Sequence, residues 1–451
     1  MVDTMKLQFL KKIFAESNVH GIGLIFRPRQ HLLERLLWIS LICTSLYFAL
    51  TVCRKEWHRY QDNSVVLSLE TNWRNWEYLA PGVTICTDYI DDTRANNFVE
   101  TNWNLSENDS NFPIYKNFVE VIARTTYGNL QELRQFSKYT FLHGLNLLQI
   151  AREMREDLLP ESGFNLVTTE MGVCFSSTYL YLLQNVTERT VETTLPNGDL
   201  CRSTLSQDSC SLTVYPPRTV EPEDTHTQTL FVHNKDDVLN PTKAIVYNFT
   251  AETTTSMELV INSIVPSNKL EQLSPAQRKC YFASELPLKY FNIYTTNLCL
   301  ISCRIDAAVK YCGCIPFFYS INSTHAPACN VLGMACLSNK WYRSIFNTSQ
   351  FDKTCNCLPL CSNFEYRRAT VQEQTYFEFM SSVELVINCP KNRLKRGVVY
   401  SADNLLVAFG GAFGFALGCS IISIVEFVFF IVEICIEKVV DLLSTLQARK
   451  S

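Results

Sequence analysis

The sequence predicts an α+β membrane protein in which two transmembrane helices flank one large, disulfide-rich extracellular domain. Two hydrophobic segments, one towards each end of the chain, are long enough to cross a bilayer. The 350 residues between them hold six glycosylation sequons and 15 of the 19 cysteines. The predicted order is a cytosolic segment (1–31), a first span (32–53), an extracellular domain (54–403), a second span (404–436) and a cytosolic tail (437–451).

The first hydrophobic segment runs from Leu36 to Cys53, 18 residues without a charge, and Arg35 and Arg54 flank it. This length is enough for a transmembrane helix. The segment starts too far along the chain, and lacks the small-residue cleavage site, to be typical of a removable signal peptide. We therefore expect an uncleaved anchor.

The second hydrophobic segment, Asn404 to Ile436, is too long for a simple span. Its 33 residues would form a helix of roughly 50 Å, against a hydrocarbon core of about 30 Å. Part of it must tilt, break or leave the bilayer. Gly410, Gly414 and Gly418 recur every four residues, so on a helix they share one face where another backbone or a narrow aqueous path can approach.

Two glutamates interrupt the same segment. Glu426 and Glu433 are seven residues apart and lie on about the same helical face. A carboxylate within the bilayer costs about 2.5–3.5 kcal/mol on insertion scales and usually faces a bundle interior or a water-filled path. Glycines at one end and acidic groups at the other indicate a path for cations, and close helix packing through the glycines is compatible with it.

The sequons indicate which side of the membrane the large domain occupies. All of them lie between the two hydrophobic segments, at Asn104, Asn108, Asn185, Asn248, Asn322 and Asn347. The cysteines agree, because an oxidising compartment would let them pair. Basic residues crowd both sides of the spans, so the positive-inside rule contributes less. We expect an extracellular domain, with both termini in the cytosol.

Local patterns within the domain predict a mixture of strands and helices. Val65–Leu69, Gly82–Cys86 and Val383–Ile387 are β-prone. Tyr115–Met154 is richer in helix formers, with apolar residues near helical spacing. Thr187–Asp237 is rich in Thr, Asp and Pro, which predicts an exposed, variable loop. A domain of this size is expected to form several subdomains.

Ten cysteines between residues 280 and 361 have an ordered spacing. Cys299 and Cys303 are four apart and would leave one helix face, whereas Cys355 and Cys357 are two apart and would share one side of an extended strand. Packing this helix face against this strand would join Cys299 with Cys357 and Cys303 with Cys355. A zinc cluster is the alternative, but the usual C-x2-C pairs are lacking and sequons flank the segment, so disulfides are favoured.

In order and spacing, these features resemble the degenerin/epithelial sodium channel family. The motifs that carry the resemblance are His20-Gly21, the run LAPGVTIC from Leu79 to Cys86, the cysteine array, and Gly418-Cys419-Ser420. The residues before Cys280, Gln277-Arg278-Lys279, are most similar to the insect pickpocket branch of that family. Almost the whole chain is covered.

The resemblance implies a trimeric channel whose subunits have a β core and a helical thumb formed by residues 280–361. It also implies six disulfide pairs: Cys86 with Cys174, Cys280 with Cys361, Cys299 with Cys357, Cys303 with Cys355, Cys312 with Cys336 and Cys314 with Cys329. Cys201 and Cys210 are close in sequence and are expected to pair with each other. Cys389 is then left over.

The resemblance also assigns roles to residues of the second span and of the N-terminal cytosolic segment. Gly418, Cys419 and Ser420 become the selectivity filter, Gly414 the site of the blocker amiloride, and His20-Gly21 a re-entrant loop that affects gating. Glycine tolerates unwound backbone and serine satisfies freed polar groups, so three such segments around an axis would present a ring of carbonyl oxygens suited to sodium.

Val407 departs from the family pattern, because members usually carry a small residue at this gating position. A valine there either shifts the resting equilibrium towards the open channel or is accommodated by smaller residues of other subunits in mixed trimers. We favour mixed trimers, which makes conduction by this chain alone doubtful.

The predicted function is therefore a subunit of a sodium-permeable, amiloride-sensitive channel of the plasma membrane. Its expected partners are sodium ions, subunits of the same family and the lipid bilayer. From the branch we expect a sensory role, either contact chemosensation such as pheromone detection, or mechanosensation. The alternatives are a non-conducting accessory subunit and a two-span scavenger-type lipid receptor, which needs no intramembrane glutamates. An ATP-gated purinergic receptor shares the topology but not this cysteine spacing.

Composition narrows the remaining classes. The chain is 47% hydrophobic and carries a net charge of -4, so nothing favours nucleic acid as a partner. The histidines are scattered singly along the sequence. We expect no catalytic site, no metal and no cofactor.

Overall fold

The computed structural model describes most of the chain between residues 21 and 440. The described ranges are 21–25, 31–73, 76–156, 163–178, 200–202, 209–217, 227–250, 253–319, 326–338, 349–375, 381–420 and much of 422–440. These residues form two compact units. The first comprises Met1–Val66, Ser267–Arg278 and Gly397–Ser451, and the second comprises Leu67–Pro266 and Lys279–Arg396.

The α-helices are α1 (Ile22–Ile25), α2 (Leu32–Asp62), α3 (Asp92–Trp103), α4 (Phe112–Ala123), α5 (Leu147–Glu153), α6 (Pro275–Arg278), α7 (Thr296–Cys312), α8 (Val331–Leu337), α9 (Ser349–Thr354) and α10 (Ala402–Leu417). The strands are β1 (Val65–Glu70), β2 (Glu77–Leu79), β3 (Gly82–Thr87), β4 (Asn165–Thr169), β5 (Gly172–Ser176), β6 (Leu200–Arg202), β7 (Ser209–Val214), β8 (Gln228–His233), β9 (Ile245–Asn248), β10 (Thr253–Pro266), β11 (Asn363–Thr375), β12 (Ser382–Asn388) and β13 (Arg393–Val398). Among the described residues, 3-10 helices lie at Leu130–Lys138, Thr140–Leu142, Asn268–Gln272 and Phe317–Tyr319.

The first unit is built around α2, which packs along α10. Among the described residues, α2 is the one helix long and apolar enough to cross a membrane. It continues beyond the apolar segment to Asp62, where Glu56 pairs with Arg59 one turn later. The helix therefore extends about nine residues past the predicted end of the first span, roughly 13 Å at 1.5 Å per residue.

The second unit contains two large β-sheets. In the first sheet, β10 is central: it pairs antiparallel with β11 on one side and parallel with β12 and β13 on the other. Strand β7 completes one end and β1 the other. Met257, Leu259 and Ile261 are buried in alternation with more exposed neighbours, because successive side chains of a strand point to opposite faces.

The second sheet has the order β4-β5-β3-β8-β9, and a short pair, β2-β6, stands apart. Strands β3 and β5 are buried along their whole length. The predicted loop at Thr187–Asp237 is wrong in this part, because the region includes β7 and the buried strand β8. Its polar composition hides the apolar run Leu230-Phe231-Val232, which fills the sheet interior.

A helical layer completes the second unit. Helices α3, α4, α5, α7 and α8 share one core, in which Phe118, Phe136, Ile305 and Met334 are almost completely buried. The prediction of a helical region at Tyr115–Met154 holds for α4 and α5 only. The middle is a 3-10 helix, because its buried residues Leu130, Leu133 and Phe136 recur every three positions.

Candidate functional site

Helix α10 opens the candidate site in the second apolar segment. Its N-terminus is capped by Ser401, whose Oγ accepts a hydrogen bond from the Asn404 amide at 3.4 Å. Asp403 in the first turn also suits the positive end of the helix dipole. With 16 residues, the helix is about 24 Å long, which is shorter than a hydrocarbon core of about 30 Å.

At Gly410, Gly411 and Gly414 of α10, no other described element approaches the position of a Cβ atom. A Cβ atom added at Gly410 or Gly411 would meet nothing within 4 Å, and one at Gly414 would meet only the Cys419 carbonyl oxygen at 3.6 Å. Ala412 and Leu417 are the buried side chains of the helix. Packing inside the described chain therefore does not require glycine at 410 or 414.

The helix breaks at Gly418. This residue has φ 64° and ψ 20°, in the left-handed region, and its amide donates to the Gly414 carbonyl oxygen at 2.9 Å. Such an αL cap is a usual helix terminus and favours glycine, because a Cβ would clash with the backbone there. Residues 418–420 are not helical. The expected break in this overlong segment is thus present at the Gly-Cys-Ser motif.

A reciprocal serine pair restarts the helix. Ser420 Oγ accepts from the Ser423 amide at 3.3 Å, and Ser423 Oγ accepts from the Ser420 amide at the same distance. This is the geometry of a capping box, which satisfies two amides that would otherwise lack partners. The described residues from 422 onwards are helical. Ser423 was not predicted to have a role, although its S-x-x-S spacing from Ser420 is visible in the sequence.

The structure also places the other predicted residues of the spans. Glu426 and Glu433 are helical and half-buried. Val407 is 73% exposed. Gly21 has φ 88°, and a Cβ there would lie 3.1 Å from Cδ1 of Ile42 on α2. His20 lies outside the described residues.

The disulfides lie in the second unit and form the same six pairs that the family resemblance implies. They are Cys86–Cys174, Cys280–Cys361, Cys299–Cys357, Cys303–Cys355, Cys312–Cys336 and Cys314–Cys329. Cys210 is also disulfide-bonded, whereas the side chain of Cys201, its predicted partner, is outside the described part. Cys389 is buried in the core between the sheets.

The disulfides Cys299–Cys357 and Cys303–Cys355, called the two rungs below, join a helix to a turn. The predicted strand at Cys355–Cys357 is therefore wrong. Helix α9 ends at Thr354, and Asn356 between the two cysteines has φ 51°. Asparagine tolerates this left-handed conformation better than most residues. This turn, rather than an extended strand, brings both cysteines to α7, where Cys303 lies about one helical turn after Cys299.

A buried ion pair joins α7 to the β4–β5 turn. Arg304 Nη1 donates to both carboxylate oxygens of Glu170, at 2.9 and 2.8 Å, and Tyr319 Oη donates to the same carboxylate at 2.8 Å. Both charged side chains are only 2% exposed. Nothing in the sequence spacing links these three residues, so they were missed.

Two further titratable groups in the second unit are buried. Desolvation lowers the pKa of His233 to about 4, and its Nδ1 donates to the Asn234 carbonyl oxygen while Nε2 accepts from Thr84 Oγ1. Burial raises the pKa of Asp237 to about 7, although Thr295 Oγ1 donates to it. Within the described residues, no group of three or more His, Cys, Asp or Glu side chains could hold a metal ion.

The sequons that the structure describes are all on the surface. Asn104, Asn108 and Asn248 are exposed. Asn104 ends α3 with φ 52°, and Asn248 lies in β9. Asn185, Asn322 and Asn347 lie outside the described residues.

These elements define a membrane protein with a disulfide-rich, mixed α/β domain and a broken apolar helix. The family model described as "Amiloride-sensitive sodium channel" matches residues 13–430, and the chain belongs to this family. Its members are plasma-membrane ion channels built from several subunits, rather than enzymes.

Three fruit-fly relatives illustrate the similarity. The chain is 26% identical over 178 residues to sodium channel protein Nach of Drosophila melanogaster and 30% identical over 182 residues to pickpocket protein 11 of the same species. Each match covers 36% of the chain and about a third of the relative, 33% and 34%. Pickpocket protein 19 of the same species is 20% identical over 478 residues, covering 94% of this chain and 91% of the relative.

Proposed function

We propose that the chain is a subunit of a sodium-permeable cation channel in the plasma membrane. The observation that carries the proposal is the break at Gly418, at the end of a helix face where no other described element approaches the Cβ positions of Gly410 and Gly414. A broken apolar segment frees backbone carbonyls, and within a bilayer such groups are tolerated only where they are buried in protein or line a water-filled path.

In this proposal three subunits surround the path, and Gly418, Cys419 and Ser420 of each contribute to a ring that replaces part of the hydration shell of sodium. Gly414, one turn earlier, lies at the site of block by amiloride. The bare glycine face supports close approach of neighbouring subunits. Glu426 and Glu433 would attract cations beyond the filter.

The proposed topology has two spans, with residues 54–403 outside and both termini in the cytosol. The disulfides and the exposed sequons of the second unit support it, because both belong to an oxidising, extracellular setting. Enzymatic removal of N-glycans should lower the apparent mass of the protein. An unchanged mass, with termini accessible from outside intact cells, would contradict this topology.

Val407 favours assembly with other subunits of the family. Its exposed side chain would be presented to neighbours at a position where the family usually carries a small residue. In mixed trimers, smaller residues beside it would relieve the crowding. The second candidate function, a non-conducting accessory subunit, applies if only the partners conduct. His20 and Gly21 are proposed to affect gating from the cytosolic side.

A sensory role, in contact chemosensation such as pheromone detection or in mechanosensation, is the proposed physiological setting. The similarity to pickpocket proteins supports this setting.

The deciding experiment records currents from the chain expressed alone and with candidate partner subunits, in sodium and in a large organic cation. The matched variants are Gly418→Leu and Gly411→Leu, because a Cβ at Gly411 meets nothing and this residue is off the 410/414/418 face. Gly418→Leu should suppress amiloride-sensitive sodium current at unchanged surface abundance, whereas Gly411→Leu should not. Equal currents from both variants would place the path elsewhere.

A further inference from the structure

A cavity of about 330 Å³ is lined by residues of the second unit. One wall is formed by residues 143–148, at the start of α5, and the other by residues 315–317 and 328–330. This volume is at the lower end of the range of small-molecule sites, about 300–1,000 Å³.

The floor of this cavity is apolar and rigid. Leu147, Ile315, Phe317 and Cys329 are each at most 3% exposed. The Cys314–Cys329 disulfide ties the second wall together, and the Ile315 and Cys329 amides donate to the carbonyl oxygens of Pro327 and Ile315 at 2.9 and 2.8 Å. A ligand would therefore meet a surface that needs little ordering on binding.

The rim is polar, and His143 is the one titratable side chain in the described lining. None of the described residues that line the cavity is Asp, Glu, Lys or Arg. Asn146 and Asn330, on opposite walls, are exposed and both act as helix caps: their Oδ1 atoms accept from the amides of Gln149 and Gly333. Each cap uses the side-chain oxygen, so each leaves its NH₂ group to donate elsewhere.

We propose that this cavity binds an uncharged small molecule with an apolar body and a hydrogen-bond-accepting oxygen, such as an ester or a ketone. The apolar floor takes the hydrocarbon part, and the NH₂ groups of the two asparagines donate to the oxygen. An amine would lose hydration without gaining a carboxylate partner. A carboxylate would meet only His143, whose Nε2 already donates to the Ser137 carbonyl oxygen, so an uncharged ligand is favoured over both charged classes. The bound molecule would join the α5 turn to the disulfide-braced wall.

Hexyl acetate and octanoate make a matched pair of probes, because they have the same number of carbon and oxygen atoms and differ in charge. The full-length protein in lipid nanodiscs is labelled with hexyl acetate carrying a diazirine in its chain, and the labelled peptides are identified by mass spectrometry. Labelling is expected on 143–148 or on 315–317 and 328–330, and an excess of hexyl acetate should displace it. Equal displacement by octanoate would overturn the uncharged class.

Gly144 offers a matched set of variants at the rim. A Cβ there meets nothing within 4 Å, so Gly144→Ala should leave labelling unchanged, whereas Gly144→Trp should fill the mouth of the cavity and reduce labelling at least about tenfold. Because the lipid is the same in both samples, partitioning of the probe into the bilayer cannot account for a difference. Labelling that Gly144→Trp leaves unchanged would overturn the site.

The donor role is tested separately by Asn330→Asp and Asn146→Asp. An aspartate keeps the oxygen that caps each helix and replaces the NH₂ donor by a second acceptor. Folding should persist, as judged by the size-exclusion profile, while labelling by the ester falls about tenfold because the ligand oxygen loses a hydrogen bond in a partly buried site. Unchanged labelling in both variants would show that the asparagines do not bind the ligand.

Discussion

Helices α7 and α10 end in the same way, but the chain beyond each end is held differently. Both stop at a left-handed glycine, Gly313 with φ 70° and Gly418 with φ 64°. In both, the glycine amide donates to the carbonyl oxygen four residues earlier at 2.9 Å. After Gly313 the chain is fixed at once by the Cys314–Cys329 disulfide.

After Gly418, the next cysteine, Cys419, forms no disulfide within the described part of the chain. The chain continues through hydrogen bonds between Ser420 and Ser423. Both helices therefore end in the same kind of left-handed glycine. The chain beyond it is fixed covalently in the cysteine-rich segment and by weak, exchangeable hydrogen bonds in the apolar segment. The same helix terminus can therefore belong to a rigid element or to an adjustable one, and the difference lies in how the chain beyond it is held.

The largest expected effect comes from the two rungs on α7. Together with the chain segments 299–303 and 355–357, they enclose a ring of about eight residues. Removing either bridge while the other remains should lower the free energy of unfolding by about 2.5 kcal/mol, according to the loop-entropy relation. Once one is gone, the other closes a loop of about 31 residues within Cys280–Cys361, and its removal should cost about 3.5 kcal/mol. Removing both should therefore cost about 6 kcal/mol, more than the sum of the single removals.

The measurement is the thermal transition of the purified protein, comparing paired Cys→Ala replacements at each rung and at both. Replacing only one cysteine of a pair should be worse than replacing both, because the remaining thiol can mispair. Strictly additive losses would mean that the rungs do not brace one another.

The ion pair behind α7 should have the next largest effect. Glu170→Gln leaves the Arg304 guanidinium buried without its counter-charge, which typically costs about 3–5 kcal/mol. Glu365→Gln is the control, because Glu365 pairs with Arg367 where both side chains are more than half exposed, and such pairs contribute about 0–1 kcal/mol. Equal thermal shifts for the two variants would show that burial of the Glu170 pair does not matter.

This pair also marks what the sequence could not predict. The β-prone segments at Val65, Gly82 and Val383 were confirmed as strands, because alternation and branched side chains are local signals. Contacts such as Glu170 with Arg304, 134 residues apart, depend on how the elements pack. The parallel pairing of β10 with β12 depends on the same information.

Some misses had a readable cause. Strand β10, the centre of the large sheet, was not predicted, although Met257, Leu259 and Ile261 alternate with polar or exposed neighbours. The 3-10 helix at Leu130–Lys138 was predicted as α-helical because spacings of three and four residues are hard to tell apart over two turns. In the apolar segment, the excess length predicted that the helix would tilt, break or leave the bilayer, and the structure shows the break.

Alanine replacements at Gly313 and Gly418 test the comparison directly. Each should cost about 1–2 kcal/mol of local backbone energy, since both glycines are left-handed. Gly313→Ala should lower the thermal transition slightly and leave current unchanged, because the neighbouring bridge holds the turn. Gly418→Ala should alter channel opening at similar surface abundance. Identical behaviour of the two variants would remove the distinction between fixed and adjustable ends.

Two buried groups of the second unit respond to acid in opposite directions: protonation of Asp237 favours the folded state, whereas protonation of His233 favours the unfolded chain. A substitution isolates the contribution of His233. Its folded pKa of about 4 lies below the ordinary value near 6.5, so the unfolded chain binds the proton more tightly and stability falls as pH drops below 6.5. The loss should be about 1 kcal/mol at pH 5.5. The free energy of unfolding of His233→Gln, taken relative to the wild type, should therefore rise by about 1 kcal/mol between pH 7 and 5.5, whereas replacing the exposed His58 by Gln should give no such pH-dependent difference. A difference between His233→Gln and the wild type that does not change with pH would show that burial of His233 does not make stability depend on pH.

The smallest expected effect separates the two roles of Ser420, a helix cap and a proposed filter residue. Ser420→Ala and Ser423→Ala each remove half of the reciprocal pair, which should cost about 0.5–1 kcal/mol of helix stability. If capping is the whole role, both variants should change channel opening equally and leave the reversal potential alone. The proposed filter predicts an asymmetry: only Ser420→Ala should change the sodium-to-potassium permeability ratio, because Ser423 lies within the restarted helix. Recordings from co-expressed subunits in mixed sodium and potassium solutions distinguish the outcomes, since a cap affects how long the path is open and a filter affects which ion crosses it.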